Sequence, residues 1–211
     1  STVKSFLDDL NPALYKVIYI QMSTISVIEF YRQIAFGLGL EPKFRISDLF
    51  KQIQETISYM AIEKKCIPVI VLDESQFLSN PILHDIKMLL NFNMDSRNNC
   101  ILIFIGESGF NGILKRHVHD ALRQRIVINY DMQGLSRDEA GSYVTYCMRQ
   151  CGVSEPVFSE EAVEAAYSIG NGSIRKMNNI LVKSLIQGAS EESRIINGEI
   201  VLKAHNEVEL A

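Results

Sequence analysis

No run of apolar residues in the sequence approaches the ~20 that a membrane-crossing helix needs. The opening segment, STVKSFLDDLNP, carries acids where a secretory leader would carry an apolar stretch. Proline and glycine are sparse, at 5 and 12 in 211 residues, and no repeat or low-complexity tract interrupts the chain. Cysteine is scarce too: Cys66, Cys100, Cys147 and Cys151 show no disulfide-framework spacing. Cys147 and Cys151 stand one helical turn apart, but no further Cys or His lies at ligand spacing, which argues against zinc. Reduced thiols and the missing leader give the expectation of a cytoplasmic protein. Positive charge is also short. The formal net charge is −4, so the molecule as a whole exerts no pull on a polyanion. The local exception is Lys115, Arg116, His117, His119, Arg123 and Arg125 against the single acid Asp120. That segment reads equally as a mixed solvated helix or as a nucleic-acid contact.

What remains is the composition of a globular chain with a sizeable core, 47% hydrophobic and 22% charged. Residues 1–10 carry Val3, Phe6, Leu7 and Leu10 at helical spacing, ended by Asn11-Pro12. KVIYIQ (16–21), IPVIVL (67–72), CILIFI (100–105) and IVINY (126–130) read as four strands. Between the first two, Ser26 with Glu29 predicts a capping box for a helix through about Leu38 closed by Gly37 and Gly39, and Ser47 predicts the cap of another. Asn80-Pro81 starts a further helix. After Met132 the strand signal vanishes. Ser136 with Glu139 makes a second capping box, and helices are predicted near 159–168, 173–188 and 197–206. Strands apolar on both faces and each followed by a helix imply a parallel sheet covered on both sides. The expected fold is therefore α/β over 1–132, followed by an all-helical subdomain over 133–211.

In such sheets chemistry sits at the carboxyl ends of the strands. Four hydrophobics run into Asp73-Glu74, the Walker B pattern. There the first acid orients a magnesium ion and the second polarises an attacking water, as phosphoryl transfer requires. A strand ending in a solvated acidic turn would look the same. The third strand ends in Gly106-Glu107-Ser108, where a polar residue would sense a terminal phosphate; an acid is awkward in that role, and Ser108 is the alternative. Arg123 and Arg125 precede the fourth strand, as arginines offered to a neighbour's nucleotide or as a locally paired basic turn. Arg175 lies in the first turn of a helix, against the helix dipole, which suggests a ligand. No Gly-Lys-Ser/Thr occurs anywhere, so the loop that cradles phosphates is missing. Ser1-Thr2 before an amphipathic helix matches the residues that come directly after Gly-Lys in such a loop. The expectation is a start two residues too late and no ATP hydrolysis by residues 1–211.

With these pieces in order the chain resembles the ExeA-like group of AAA+ ATPases, P-loop NTPases that include general-secretion ATPases and transposition helpers related to TnsC, TniB and MuB. The resemblance is carried by STVKSFLDDLNPALYKVIYI, VIVLDESQFLS, IFIGESGF, ALRQRIVINY, the turn Leu135-Ser136-Arg137-Asp138-Glu139, and GNGSIRKMNNIL. It implies ATP and Mg2+ as ligands, with Ser1 and Asp73 on the metal and Glu74 as catalytic acid. Thr2, Glu107, Ser108 and Arg175 would lie around the nucleotide, Arg175 reaching over from a helical lid toward Asp73 and Glu74. Arg123 or Arg125 would be the finger. It further implies a homo-oligomer acting on double-stranded DNA and a transposase, or on secretion components. The alternative is a non-catalytic module that keeps the fold. The group has Gln where Glu107 stands and Ala where Ser75 stands. Its sheet order, five-one-four-three-two, leaves a gap here, predicting that the fourth strand closes onto the third or that a second copy fills the space.

Overall fold

The computed structural model of the chain describes residues 2–90 and 99–209. They fall into two compact units, Ser1–Asn129 and Tyr130–Ala211.

The first unit opens with α1 (Thr2–Asp8) and then β1 (Tyr15–Gln21), α2 (Val27–Leu38), α3 (Ile46–Ile62) and β2 (Ile67–Asp73). After a 3-10 turn at Ser75–Phe77 come α4 (Asn80–Leu89), β3 (Ile101–Phe104), α5 (Gly109–Leu114), a 3-10 turn at His117–His119 and α6 (Asp120–Arg123). The strands are parallel in the order β1-β2-β3, with Val17 opposite Val69 and Val69 opposite Ile101. Parallel neighbours demand crossovers, which α2 with α3 and then α4 supply. β2 runs down the middle and is buried on both faces from Pro68 to Leu72, the reason its sequence is an unbroken apolar run. β1 lies at an edge and alternates, with Ile18 and Ile20 in the core and Tyr19 exposed. Phe30, Tyr31 and Ile34 of α2 and Leu49, Ile53 and Ile57 of α3 share one core with Ile70 and Leu72.

Three local expectations need correction. Gly39 alone caps α2, at φ 80°, its N–H donating to the carbonyls of Ala35 and Phe36. Gly37 is inside the helix for a different reason: a Cβ there would lie 2.3 Å from Cγ2 of Ile18, so the glycine lets the helix sit down on β1. Ser47 does not cap α3, which begins at Ile46 after Arg45 with no side-chain cap. The entry is stitched from the next turn, where the Gln52 amide donates to the Glu41 carbonyl at 3.0 Å and accepts from the Lys43 N–H at 3.2 Å.

The third correction is larger. Residues 126–130 form no strand: Ile126 packs against the core, but Val127 and Ile128 stand 93% and 81% exposed. The expected closure onto β3 therefore does not occur among the described residues. β-branched composition favours a pleated surface only when a neighbouring strand supplies the ladder, and among the described residues no strand does so. The outer edge of β3 is correspondingly unpaired among the described residues.

The second unit is helical: α7 (Arg137–Gln150), α8 (Glu160–Gly170), α9 (Ile174–Ser190) and α10 (Gly198–Glu209), with one parallel bridge between Phe158 and Ile196. Small residues let the helices close up. Ala162 and Ala166 are fully buried, and a Cβ on Gly170 would lie 2.6 Å from Cγ of Met177. The expected capping box is complete: the Ser136 hydroxyl accepts from the Glu139 N–H while Glu139 accepts from the Ser136 N–H. Ser159 and Ser173 cap α8 and α9, and Asn171 ends α8 in the left-handed conformation.

Candidate active site

The carboxyl end of β2 is where the polar groups of the first unit gather. Hydrogen bonding between β2 and β3 continues past the strands, the Ile105 N–H donating to the Leu72 carbonyl at 2.9 Å and the Ser75 N–H to the Ile105 carbonyl at 2.8 Å. Ser75 is fully buried, its hydroxyl donating to the Leu72 carbonyl at 2.8 Å, so the turn after the strand is held at both ends. Between these anchors Glu74 adopts φ 56° and ψ 41°, a left-handed conformation uncommon for a residue with a side chain. Such backbone costs on the order of 1 kcal/mol or more and clusters at functional sites.

Asp73 and Glu74 are both partly buried. One Asp73 oxygen accepts from the Glu74 N–H at 2.8 Å, and the other accepts from the Tyr19 hydroxyl, reaching across from β1. That hydrogen bond raises the Tyr19 pKa above its ordinary value, with burial and the charges of Asp73 and Glu74 acting in the same direction. The Glu74 carboxylate accepts from the Gln76 amide at 2.7 Å, and the same amide accepts from the Glu107 N–H at 3.2 Å. Asp73 and Glu74 at the tip of β2 are thus tied through Gln76 to the backbone of Glu107 at the tip of β3, while the Glu107 side chain is exposed. Tyr19 and Gln76 join them, although neither is among the site residues expected from the sequence.

The oxygen donors suit a hard, hydrated cation. Among the described residues no cluster of three His, Cys, Asp or Glu could cage a metal. A magnesium ion held here would therefore keep waters and be shared with the phosphates of a nucleotide, the usual habit of that ion.

Ser1 is outside the described residues, and Thr2 is the first residue of α1. Ser108 is exposed just ahead of α5 and makes no side-chain cap. Arg123 pairs with Asp120 at 2.9 Å, and Arg125 donates to the Lys87 carbonyl at 2.9 Å. Arg175 is exposed in the first turn of α9, in the second unit. The basic segment around 115–125 is less available than its composition implies. His119 is buried against Asn80 at 3.0 Å, its pKa lowered by burial and then by the charge of Arg116, and His117 pairs with Asp120. Lys115 and Arg116 are exposed.

The family described as AAA domain matches residues 1–114, the stretch that holds β1, β2, β3 and the acids between them. The chain belongs to that family. It is also similar to General secretion pathway protein A of Aeromonas hydrophila, 27% identical over 138 residues, which is 65% of this chain and 25% of that protein. Among solved structures, Cdc6p from Pyrobaculum aerophilum superposes with a TM-score of 0.67 at 17% identity, over 98% of this chain and 56% of that one. The Aeropyrum pernix ORC1 protein, solved in complex with DNA, gives 0.62 at 16% identity, over 97% and 52%. The Thermotoga maritima RuvB Holliday junction branch migration motor gives 0.53 at 15% identity, over 90% and 60%. These likenesses carry the fold: an AAA+ P-loop NTPase arrangement of parallel sheet, flanking helices and a helical C-terminal part. The chain spans a quarter of the curated relative and between half and two thirds of these structures. Among the described residues no helix is long and apolar enough to cross a membrane.

Proposed function

We propose that the chain is the catalytic-acid and lid portion of an ATP hydrolase related to General secretion pathway protein A. In this reading Glu74 polarises the attacking water and Asp73 orients hydrated magnesium. The observation that carries it is the tip of β2, where two adjacent acids leave a fully buried central strand and the second is held in a left-handed turn by the neighbouring strand. Packing alone does not require Glu at that backbone conformation, which Gly or Asn adopts at less cost.

Around these acids, Glu107 and Ser108 at the end of β3 are the groups for the terminal phosphate; Arg175, in the helical unit, is assigned to nucleotide binding. Ser1 and Thr2 are the hydroxyls assigned to the metal and the phosphates. Arg123 or Arg125 is the arginine supplied to a neighbouring copy in a homo-oligomer. The Arg123–Asp120 pair does not bar that role, since exposed ion pairs are worth about 1 kcal/mol at most. The similarity to General secretion pathway protein A favours secretion components as partners. A transposition-helper role, with double-stranded DNA and a transposase, rests on sequence resemblance alone.

The test is ATP turnover by the full-length protein. Glu74→Gln is expected to lower kcat by about 10²–10⁴-fold, the range for removing a general base, while nucleotide binding persists. Equal turnover by wild type and Glu74→Gln would remove Glu74 from the chemistry. Residues 1–211 alone, without Gly-Lys-Ser/Thr, should show no turnover. Steeply salt-dependent binding of double-stranded DNA in the presence of ATP would move the transposition reading ahead.

A further inference from the structure

We infer that Gln76 is a positioning residue, which ties the Glu74 carboxylate to the tip of β3 and fixes where that carboxylate points. The inference rests on the ATPase reading and extends it to a residue outside the acid pair.

The turn that carries Gln76 has little freedom. Ser75, one residue before it, is buried and bonded to the carbonyls of both Leu72 and Ile105. From that anchored turn the Gln76 side chain makes two bonds in opposite directions, donating to Oε2 of Glu74 at 2.7 Å and accepting from the Glu107 N–H at 3.2 Å. The two ends of the amide are assigned by their partners, since a backbone N–H can only donate and a carboxylate can only accept. Gly106 makes the approach possible. A Cβ at that position would lie 2.9 Å from Oε1 of Gln76 and 3.2 Å from the backbone nitrogen of Ser75. A larger residue would force either the Gln76 amide or the β3 tip to give way, lengthening the bond between them.

The consequence is directional. With one lone pair of Oε2 engaged by Gln76, Oε1 is the freer Glu74 oxygen to accept from a water. Because the other end of the amide holds the Glu107 N–H, a shift of the β3 tip is passed to the carboxylate through one side chain. The β3 tip is where the terminal phosphate is expected. Gln76 therefore links the state of that phosphate to the aim of the acid, without touching substrate itself.

The experiment compares wild type, Glu74→Gln, Gln76→Met, Gln76→Glu and Gly106→Ala in the full-length protein. It reads kcat, KM for ATP, affinity for a fluorescent ATP analogue, and melting temperature. Gln76→Met keeps the length and loses both polar ends. It should lower kcat by about 10–100-fold, in line with the cost of a misplaced catalytic group, and leave KM and analogue affinity within a few-fold. Gln76→Glu keeps the acceptor for Glu107 and sets a like charge against Glu74, so its kcat should fall at least as far. Gly106→Ala should reproduce the kcat loss with Gln76 intact. A purely structural Gln76 would instead move KM, affinity and melting temperature together, and that pattern overturns the proposal. An inactive Glu74→Gln beside a fully active Gln76→Met overturns this proposal alone. A fully active Glu74→Gln overturns the ATPase assignment and this proposal with it.

Discussion

In residues 130–211 each helix start rests on contacts made within a few positions of sequence: Ser136 with Glu139, Ser159 with Ala162, Ser173 with Lys176. In residues 1–129 the strands depend on partners far along the chain, Tyr15 opposite Ile67 and Val69 opposite Ile101. The helical region formed where its local signals predicted, whereas one of the four strand signals in the sheet region did not become a strand. A helix satisfies its own backbone, but a strand is completed only by another segment arriving beside it. Apolar pattern is thus a sufficient cue in one unit and only a necessary cue in the other.

The largest expected effect that probes this contrast comes from Leu72→Ala. It empties a fully buried site on the central strand and should cost the first unit about 2–5 kcal/mol. Amide hydrogen exchange checks it: β1 and β2 should lose protection while α8, α9 and α10 keep theirs. Equal loss in the helices would mean that the two units unfold as one, and the contrast would fail.

A smaller effect is expected from Ser136→Ala, about 1 kcal/mol, confined to the second unit. Its pH dependence has a definite sign. Hydrogen bonds from the Ser136 N–H, and then from its hydroxyl, hold the Glu139 pKa below its ordinary 4.5. The contribution of the ionised Glu139 is therefore complete above that pH and is lost as pH falls through the folded value beneath it. The gap between wild type and Ser136→Ala in urea midpoint should accordingly narrow as the pH is taken down through the carboxylate range. A gap that widened in acid would contradict the capping geometry.

Least of all should come from Val127→Lys. The position is almost fully exposed and outside any ladder, so stability should change by less than about 0.5 kcal/mol. A clearly larger loss in thermal melts would reveal that 126–130 is covered in solution and would restore its strand signal.

Much of the sheet was legible because β2 and β3 are written as continuous apolar runs, and the acids at the end of β2 are found directly from that pattern. The connections among the site residues were not legible. Tyr19 meets Asp73 across 54 positions and Gln76 meets Glu107 across 31, and no local pattern encodes either approach. Gly37 misled for the same reason, since a glycine near a helix end looks like a cap when its actual neighbour is Ile18 of a strand. Ser47 misled because the helix entry is secured by Gln52 from the next turn. Arg123 and Arg125 were visible as a pair of cations, but their engagement with Asp120 and the Lys87 carbonyl was not.

The burial of Cys100 beside β3 has a practical consequence. Desolvation pushes its thiol up to about 12, whereas Cys151 stands exposed. Alkylation requires the thiolate. A maleimide added at neutral pH therefore meets Cys151 first, then the half-buried Cys66 and Cys147, and reaches Cys100 only after the core beside β3 has loosened. The natural cysteines thus provide a built-in chemical timer for opening of the sheet.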